Sequence, residues 1–203
     1  MEDVMYEEKF RGLQIKIYQD DADESPGEYG DNNLFLVGYH REFTVEKDQI
    51  ITKQDLVLCF TNPKELDEDE KAEVEYLRSK YHIFGLEAYI HSGVCLALSR
   101  EGDFPDRQWD VSQLGAVLVA REEWKEEADA RNAALSLIDT WNDYLSGNIY
   151  GYVIEDAAGE HIDSCWGYYG EYEAGALAEA RSIVDHLTNK GKTDHKGQYL
   201  IKT

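Results

Sequence analysis

No apolar run in this chain approaches the roughly 20 residues that a membrane span needs. Its first ten residues, MEDVMYEEKF, lack the basic stretch and the apolar stretch of a secretion signal. The expectation is a soluble cytoplasmic protein with no membrane partner. Cysteine is scarce: Cys59, Cys95 and Cys165 are the only three. They sit far apart within apolar or aromatic stretches, which fits reduced core thiols better than a disulfide frame or a zinc site. The sequence also lacks a Gly-rich phosphate loop, an HExxH helix and a GxSxG turn. No catalytic residue, metal ligand or cofactor is therefore assigned, and the expectation is a protein that is not an enzyme.

Positive charge is the other shortage. Lys and Arg number 20 against 42 Asp and Glu, a net charge of −22. Every quarter of the chain is acidic, so the excess is not confined to a tail. With 42% hydrophobic residues and 14 tyrosines, there is enough apolar material for a core. The charge thus belongs to a folded surface and does not imply disorder. One domain spanning 1–203 is the default for this length, with a subdivision near 105–113 as the alternative.

Periodicity gives the elements. LQIKIYQD (13–20) alternates as a strand, and an acidic loop, DADESPGEYGDNN, separates it from a second strand in LFLVGYH (34–40). LVLCF (56–60) is a short apolar run suited to a buried strand. Thr61 or Asn62 as N-cap, Pro63 in the first turn and clustered early acids predict a helix from there to about Tyr81. Residues 83–99 read as a hairpin turning at His91-Ser92-Gly93, and LGAVLVA (114–120) as another buried strand. A long helix follows over 121–145, with Gly147 closing it. Residues 148–170 pattern as two strands around Asp156-Ala157-Ala158-Gly159, a last helix spans 171–187, and QYLIK ends the chain as a strand. The sum is an α+β fold, a mainly antiparallel sheet or sheets with about three helices packed against them.

Three blocks, DNNLFLVGYHREFTV (31–45), QLGAVLVAREEWKEE (113–127) and YLSGNIYGYVIEDAAGEHIDSCWGYYGEYEAGALAEA (144–180), resemble a family of uncharacterised acidic proteins carried by phages and other mobile elements. The last block, a YGYVxE hairpin ending in DSCWG, carries most of that resemblance. Phe35 to Val37 depart from it, standing where a Gly-Thr-Met run is commoner. The resemblance implies an origin in mobile elements and carries no reaction and no residue roles.

The densest charge is KELDEDEKAEVE, in which Glu65, Asp67, Glu68, Asp69, Glu70, Glu73 and Glu75 fall within eleven positions. On a helix Glu65, Asp69 and Glu73 would form a row of like charges about 6 Å apart. A solvated face that keeps the protein soluble is the plain reading of such a helix. The total charge points further. A compact chain of this length has a diameter of roughly 43 Å, and B-DNA of that length carries roughly 25 charges. A surface of similar charge density can occupy the basic channel of a nucleic-acid-binding protein. Together with the mobile-element resemblance, this leads to the expected function: an acidic DNA mimic that inhibits a host defence system of the restriction or CRISPR kind. The partner-binding residues are then the seven carboxylates above, extended by Asp20, Asp21, Asp23 and Glu24 or by Glu122, Glu123, Glu126 and Glu127.

Other constellations carry less. Asp21, Asp23 and Ser25 have calcium-loop spacing, but Pro26 stands where Gly is needed and Asn32 where the bidentate Glu closes the loop. His161, Asp163 and Cys165 share a strand face beside aromatic packing residues, a poor setting for a thiolate. His40, His82 and His91 read as structural. Lys190, Lys192 and Lys196 form too small a basic patch for direct nucleic-acid binding on so acidic a body. The aromatic corner Trp166, Tyr168, Tyr169 and Tyr172 is the secondary interface, with an accessory or adaptor protein contacting a partner protein as the alternative function.

Overall fold

A computed structural model of the chain describes residues 3–21, 25–26, 33–39, 50–105 and 107–190. The chain forms two compact units, Met1–Ala22 with Gly147–Thr203, and Asp23–Ser146. Residues 105–113, where the alternative subdivision would fall, lie inside the second unit.

The first unit is a four-stranded antiparallel sheet in the order β1-β2-β7-β8, built from Val4–Phe10, Leu13–Gln19, Ile149–Glu155 and His161–Tyr169. Alternation puts Ile15 and Ile17 of β2 and Tyr152 and Ile154 of β7 on one face. There they pack on Ala176, Leu177, Ala180 and Val184 of α5, Ala176–Lys190. β1 has no counterpart among the sequence expectations. It is an edge strand, and its inward positions include a charge, Glu8, which meets the guanidinium of Arg181 through two bonds of 2.7 and 2.8 Å. Those bonds outweigh the cost of burial and hold the Glu8 carboxyl below its usual range.

The second unit is a sheet in the order β3-β6-β4-β5, also antiparallel, formed by Leu34–Gly38, Val111–Ala120, Tyr81–Ile90 and Val94–Leu98. One face carries α4, Glu127–Ser146, whose Ala130, Ala134, Ile138 and Trp141 pack on Leu36, Leu86, Leu96, Val117 and Val119. The other carries α1, Lys53–Phe60, and α2, Glu68–Lys80, with Leu56, Cys59 and Leu77 on Val37, Ala116 and Leu118. Helices on both faces explain why β6 reads as an unbroken apolar run. A four-residue turn of helix, α3, Arg107–Asp110, leads into β6.

The α+β class, the antiparallel pairing and the two hairpins match the sequence reading. Four local readings are corrected. LVLCF belongs to α1, whose start is fixed by Thr52 accepting from the Asp55 N–H at 3.2 Å. The following helix begins at Glu68, because the Asp67 side chain caps it. The long helix begins at Glu127 instead of residue 121, since the Glu123 and Trp124 N–H groups both turn back to the Ala120 carbonyl and His82 engages the Trp124 carbonyl at 3.0 Å. The last helix begins at Ala176. QYLIK lies outside the described residues.

Candidate functional site

The acidic stretch answers first to helix chemistry. Asn62 opens a turn by accepting the Lys64 N–H at 3.1 Å on its side chain and the Glu65 N–H at 2.9 Å on its carbonyl. Leu66 is buried and pins the segment to the unit. Asp67 then accepts the Glu70 N–H while Glu70 accepts the Asp67 N–H, each at 2.9 Å, a reciprocal capping box. Glu68 is paired with Lys71 at 2.7 Å. Acids fill the first turn, and Arg78 and Lys80 sit in the last, as the helix dipole favours.

Of the seven carboxylates, Asp67, Glu68 and Glu70 thus have structural partners. Glu65, Asp69, Glu73 and Glu75 are exposed and make no hydrogen bond or ion pair among the described residues. Glu65 lies in the turn, so the expected row of three on one helix face reduces to Asp69 and Glu73.

Glu122, Glu123, Glu126 and Glu127 form a second acidic group. Only Glu127 is helical; the other three belong to the turn between β6 and α4. Arg121 ties that turn to the far end of α2, its N–H to the Lys80 carbonyl at 2.9 Å and its Nε to the Arg78 carbonyl at 2.7 Å. Glu123 also accepts from Asn33 at 3.3 Å. The two groups therefore sit at opposite ends of a helix about 20 Å long. Arg78, Lys80 and Arg121 lie at the second end as well, so this unit carries two acidic poles, the second of them mixed with cations.

In the first unit, Asp20 is half-buried and accepts the Gly167 N–H at 2.9 Å, while its own N–H reaches the Ile149 carbonyl at 2.7 Å. Gly167 has φ 82° and sits where the β7–β8 register slips. Asp20 is therefore a staple for that bulge. Asp21 is exposed, and Asp23 and Glu24 lie outside the described residues, as do Asn32, His40 and Lys192.

The bulge divides the aromatic corner. Trp166 lies on the sheet face away from α5, over Gly151 and 5.9 Å from the Tyr18 ring; it is 42% exposed. Tyr168 and Tyr172 pack into the α5 core, Tyr168 against Tyr152 and Tyr172 between Tyr6 and Tyr150. Burial pushes the Tyr168 phenol up to about 12. The Tyr152 phenol is raised by burial and by its 3.0 Å bond to Asp163, so it stays protonated and donates to that side chain at physiological pH. Tyr169 is half-buried at the strand end, opposite Ile149.

Cys59 is buried, but Cys95 and Cys165 are exposed, contrary to the expectation of three core thiols. Both lie on strands that close an edge of their sheet, where burial from a neighbouring strand is missing on one side. Sequence reasoning also missed the exposed apolar residues Val57, Phe60 and Trp109, the last 82% exposed on α3. The Thr52-x-x-Asp55 spacing was the available signal for α1; α3 offers none.

Among the described residues no group of three His, Cys, Asp or Glu side chains is placed to hold a metal ion, and no helix is long and apolar enough to cross a membrane. Comparison with protein-family models, curated proteins and solved structures finds no match in any of the three.

Proposed function

We propose that the protein is an acidic DNA mimic that binds and inhibits a host nucleic-acid-binding defence complex of the restriction or CRISPR kind. The observation carrying this reading is the run of exposed carboxylates Glu65, Asp69, Glu73 and Glu75 without partners among the described residues, held on and beside a capped helix in a chain of net charge −22. The capping box fixes the start of the helix, so these charges do not have to be ordered on binding. The pole at 122–127, about 20 Å away, supplies a second contact on the scale of six base pairs of duplex. The resemblance to mobile-element proteins supports the choice of a defence target.

Reversing Asp69, Glu73 and Glu75 to Lys together is expected to weaken binding to such a complex at least tenfold, and the parent affinity should fall steeply with salt. Glu73 and Glu75 have no partner among the described residues, and Asp69 contributes only through the helix dipole, so thermal stability should fall by no more than about 1 kcal/mol. The check is competition against duplex DNA for the purified complex, at two salt concentrations. Undiminished competition by the triple variant removes α2 from the interface.

A second reading rests on Trp166. With Met5, 50% exposed, it leaves apolar surface on the open sheet face of the first unit. An adaptor working through that face should bind its partner with little salt dependence and lose at least tenfold in affinity on Trp166→Ala, measured by calorimetry with the captured partner.

A further inference from the structure

One region of the second unit belongs to neither acidic pole. Between α1 and β6 lies a cavity of about 350 Å³, walled by Leu56, Val57 and Phe60 of α1 and Leu114 of β6, with Lys53 and Gln113 among its polar lining. Val57 and Phe60 remain 56% and 53% exposed, although α1 is only eight residues long and already buries Leu56 and Cys59. Two large apolar side chains bordering one concavity are characteristic of a ligand wall.

The polar groups around it are nearly all occupied in a way that leaves donors free. Gln113 Oε1 accepts from the Ser99 hydroxyl at 2.8 Å, so its amide NH2 is what remains to donate. The Thr61 hydroxyl donates to the Val57 carbonyl at 2.9 Å, and the Tyr39 hydroxyl donates to the Ile51 carbonyl. Burial raises the Tyr39 pKa, so no phenolate competes for the space. Among the described residues Lys53 is the only charged one in the lining, and its ammonium has no hydrogen bond or ion pair with any of them. A cation facing an apolar wall stands out in a chain with a twofold excess of acid.

The geometry points to a binding site for a small amphipathic monoanion. An aliphatic or aryl body of about octanoate size rests on Leu56, Val57 and Phe60, and its carboxylate meets the Lys53 ammonium and the Gln113 amide. The site is independent of the DNA-mimic reading, since it uses none of the acidic residues.

The test is titration of the full-length protein with hexanoate, octanoate, octan-1-ol and octylamine, followed by amide chemical shifts and calorimetry. Octanoate should bind saturably at millimolar concentration or below, shifting amides of residues 53–61 and 113–115. Hexanoate should bind about tenfold more weakly, for two fewer buried methylenes, and octylamine should not bind. Lys53→Met keeps the aliphatic stem at an exposed position, so the fold is kept. It should weaken octanoate at least tenfold and change octan-1-ol by less than twofold. The proposal is overturned if octanoate gives no saturable shift at those residues, if octylamine binds as well, or if Lys53→Met leaves the octanoate affinity unchanged.

Discussion

Gly115→Ala is expected to destabilise the protein by about 3 kcal/mol, lowering the midpoint of thermal unfolding by roughly 10 °C. Gly115 pairs with Gly38 across the β3–β6 ladder and with Leu86 across the β6–β4 ladder. A Cβ placed on it would lie 1.9 Å from the Val37 carbonyl oxygen and 2.9 Å from the Gly38 Cα. Both atoms are backbone, so no side-chain rotation relieves the clash. β3 must move away, or β6 must shift against β4 as well. Gly93→Ala is the control: a Cβ there meets nothing within 4 Å, and its φ is not in the left-handed region. Calorimetric or urea unfolding of both variants decides the matter. A Gly115→Ala protein as stable as its Gly93→Ala counterpart would refute this close approach of the two strands.

Glu87→Ala should cost about 2 kcal/mol and loosen the segment from Arg100 to Arg107. Glu87 is 1% exposed and accepts the Arg100 N–H at 3.0 Å and Arg107 Nη2 at 2.7 Å. Arg107 in turn donates to the Gly102 carbonyl at 2.6 Å and lies over the Phe104 ring, which stacks on Tyr89. Arg100 has φ 69°, a conformation that costs a non-glycine residue energy and that the bond to Glu87 helps to hold. Arg107 is 39% exposed and can return to water when its partner is removed, which keeps the loss below that of a fully buried pair.

Burial alone would raise the Glu87 carboxyl, but Arg107 and the neighbouring N–H groups reverse this, and the net shift is downward. A lowered folded value means the carboxylate's contribution is complete above the ordinary carboxyl pKa and is lost as pH falls through the folded value. The stability gap between the parent and Glu87→Gln should therefore be widest near neutral pH and narrow below about pH 4. Hydrogen exchange of the amides at 100–107 reads the local effect. A gap that widens on acidification would contradict a downward shift.

Class and pairing were legible because the strands of both units follow simple patterns: alternation in LQIKIYQ, an unbroken apolar run in LGAVLVA, and a Gly-containing turn between β7 and β8. The errors came where two rules compete. LVLCF is apolar and short, which suits a strand, yet a cap five residues upstream of Val57 commits it to a helix. Pro63 and Asp67 both suit a helix start, and the buried Leu66 decides for the later one. The acidic site was legible as composition but not as arrangement. Nothing local shows that Arg121 brings the 122–127 turn to the far end of α2, or that a single glycine at 167 sends Trp166 and Tyr168 to opposite faces. Those are consequences of long-range bonds and of a register slip, to which periodicity is blind.

The sheet of the first unit joins β2 to β7, although about 130 residues separate Gln19 from Ile149. On a ribosome adding 5–20 residues per second, roughly 6–26 s elapse before β7 follows β2 into existence. Throughout that interval the β1–β2 hairpin has one side of its ladder unsatisfied and Ile15 and Ile17 uncovered. Nascent chains stalled before residue 149 should therefore display a sticky amino-terminal ribbon.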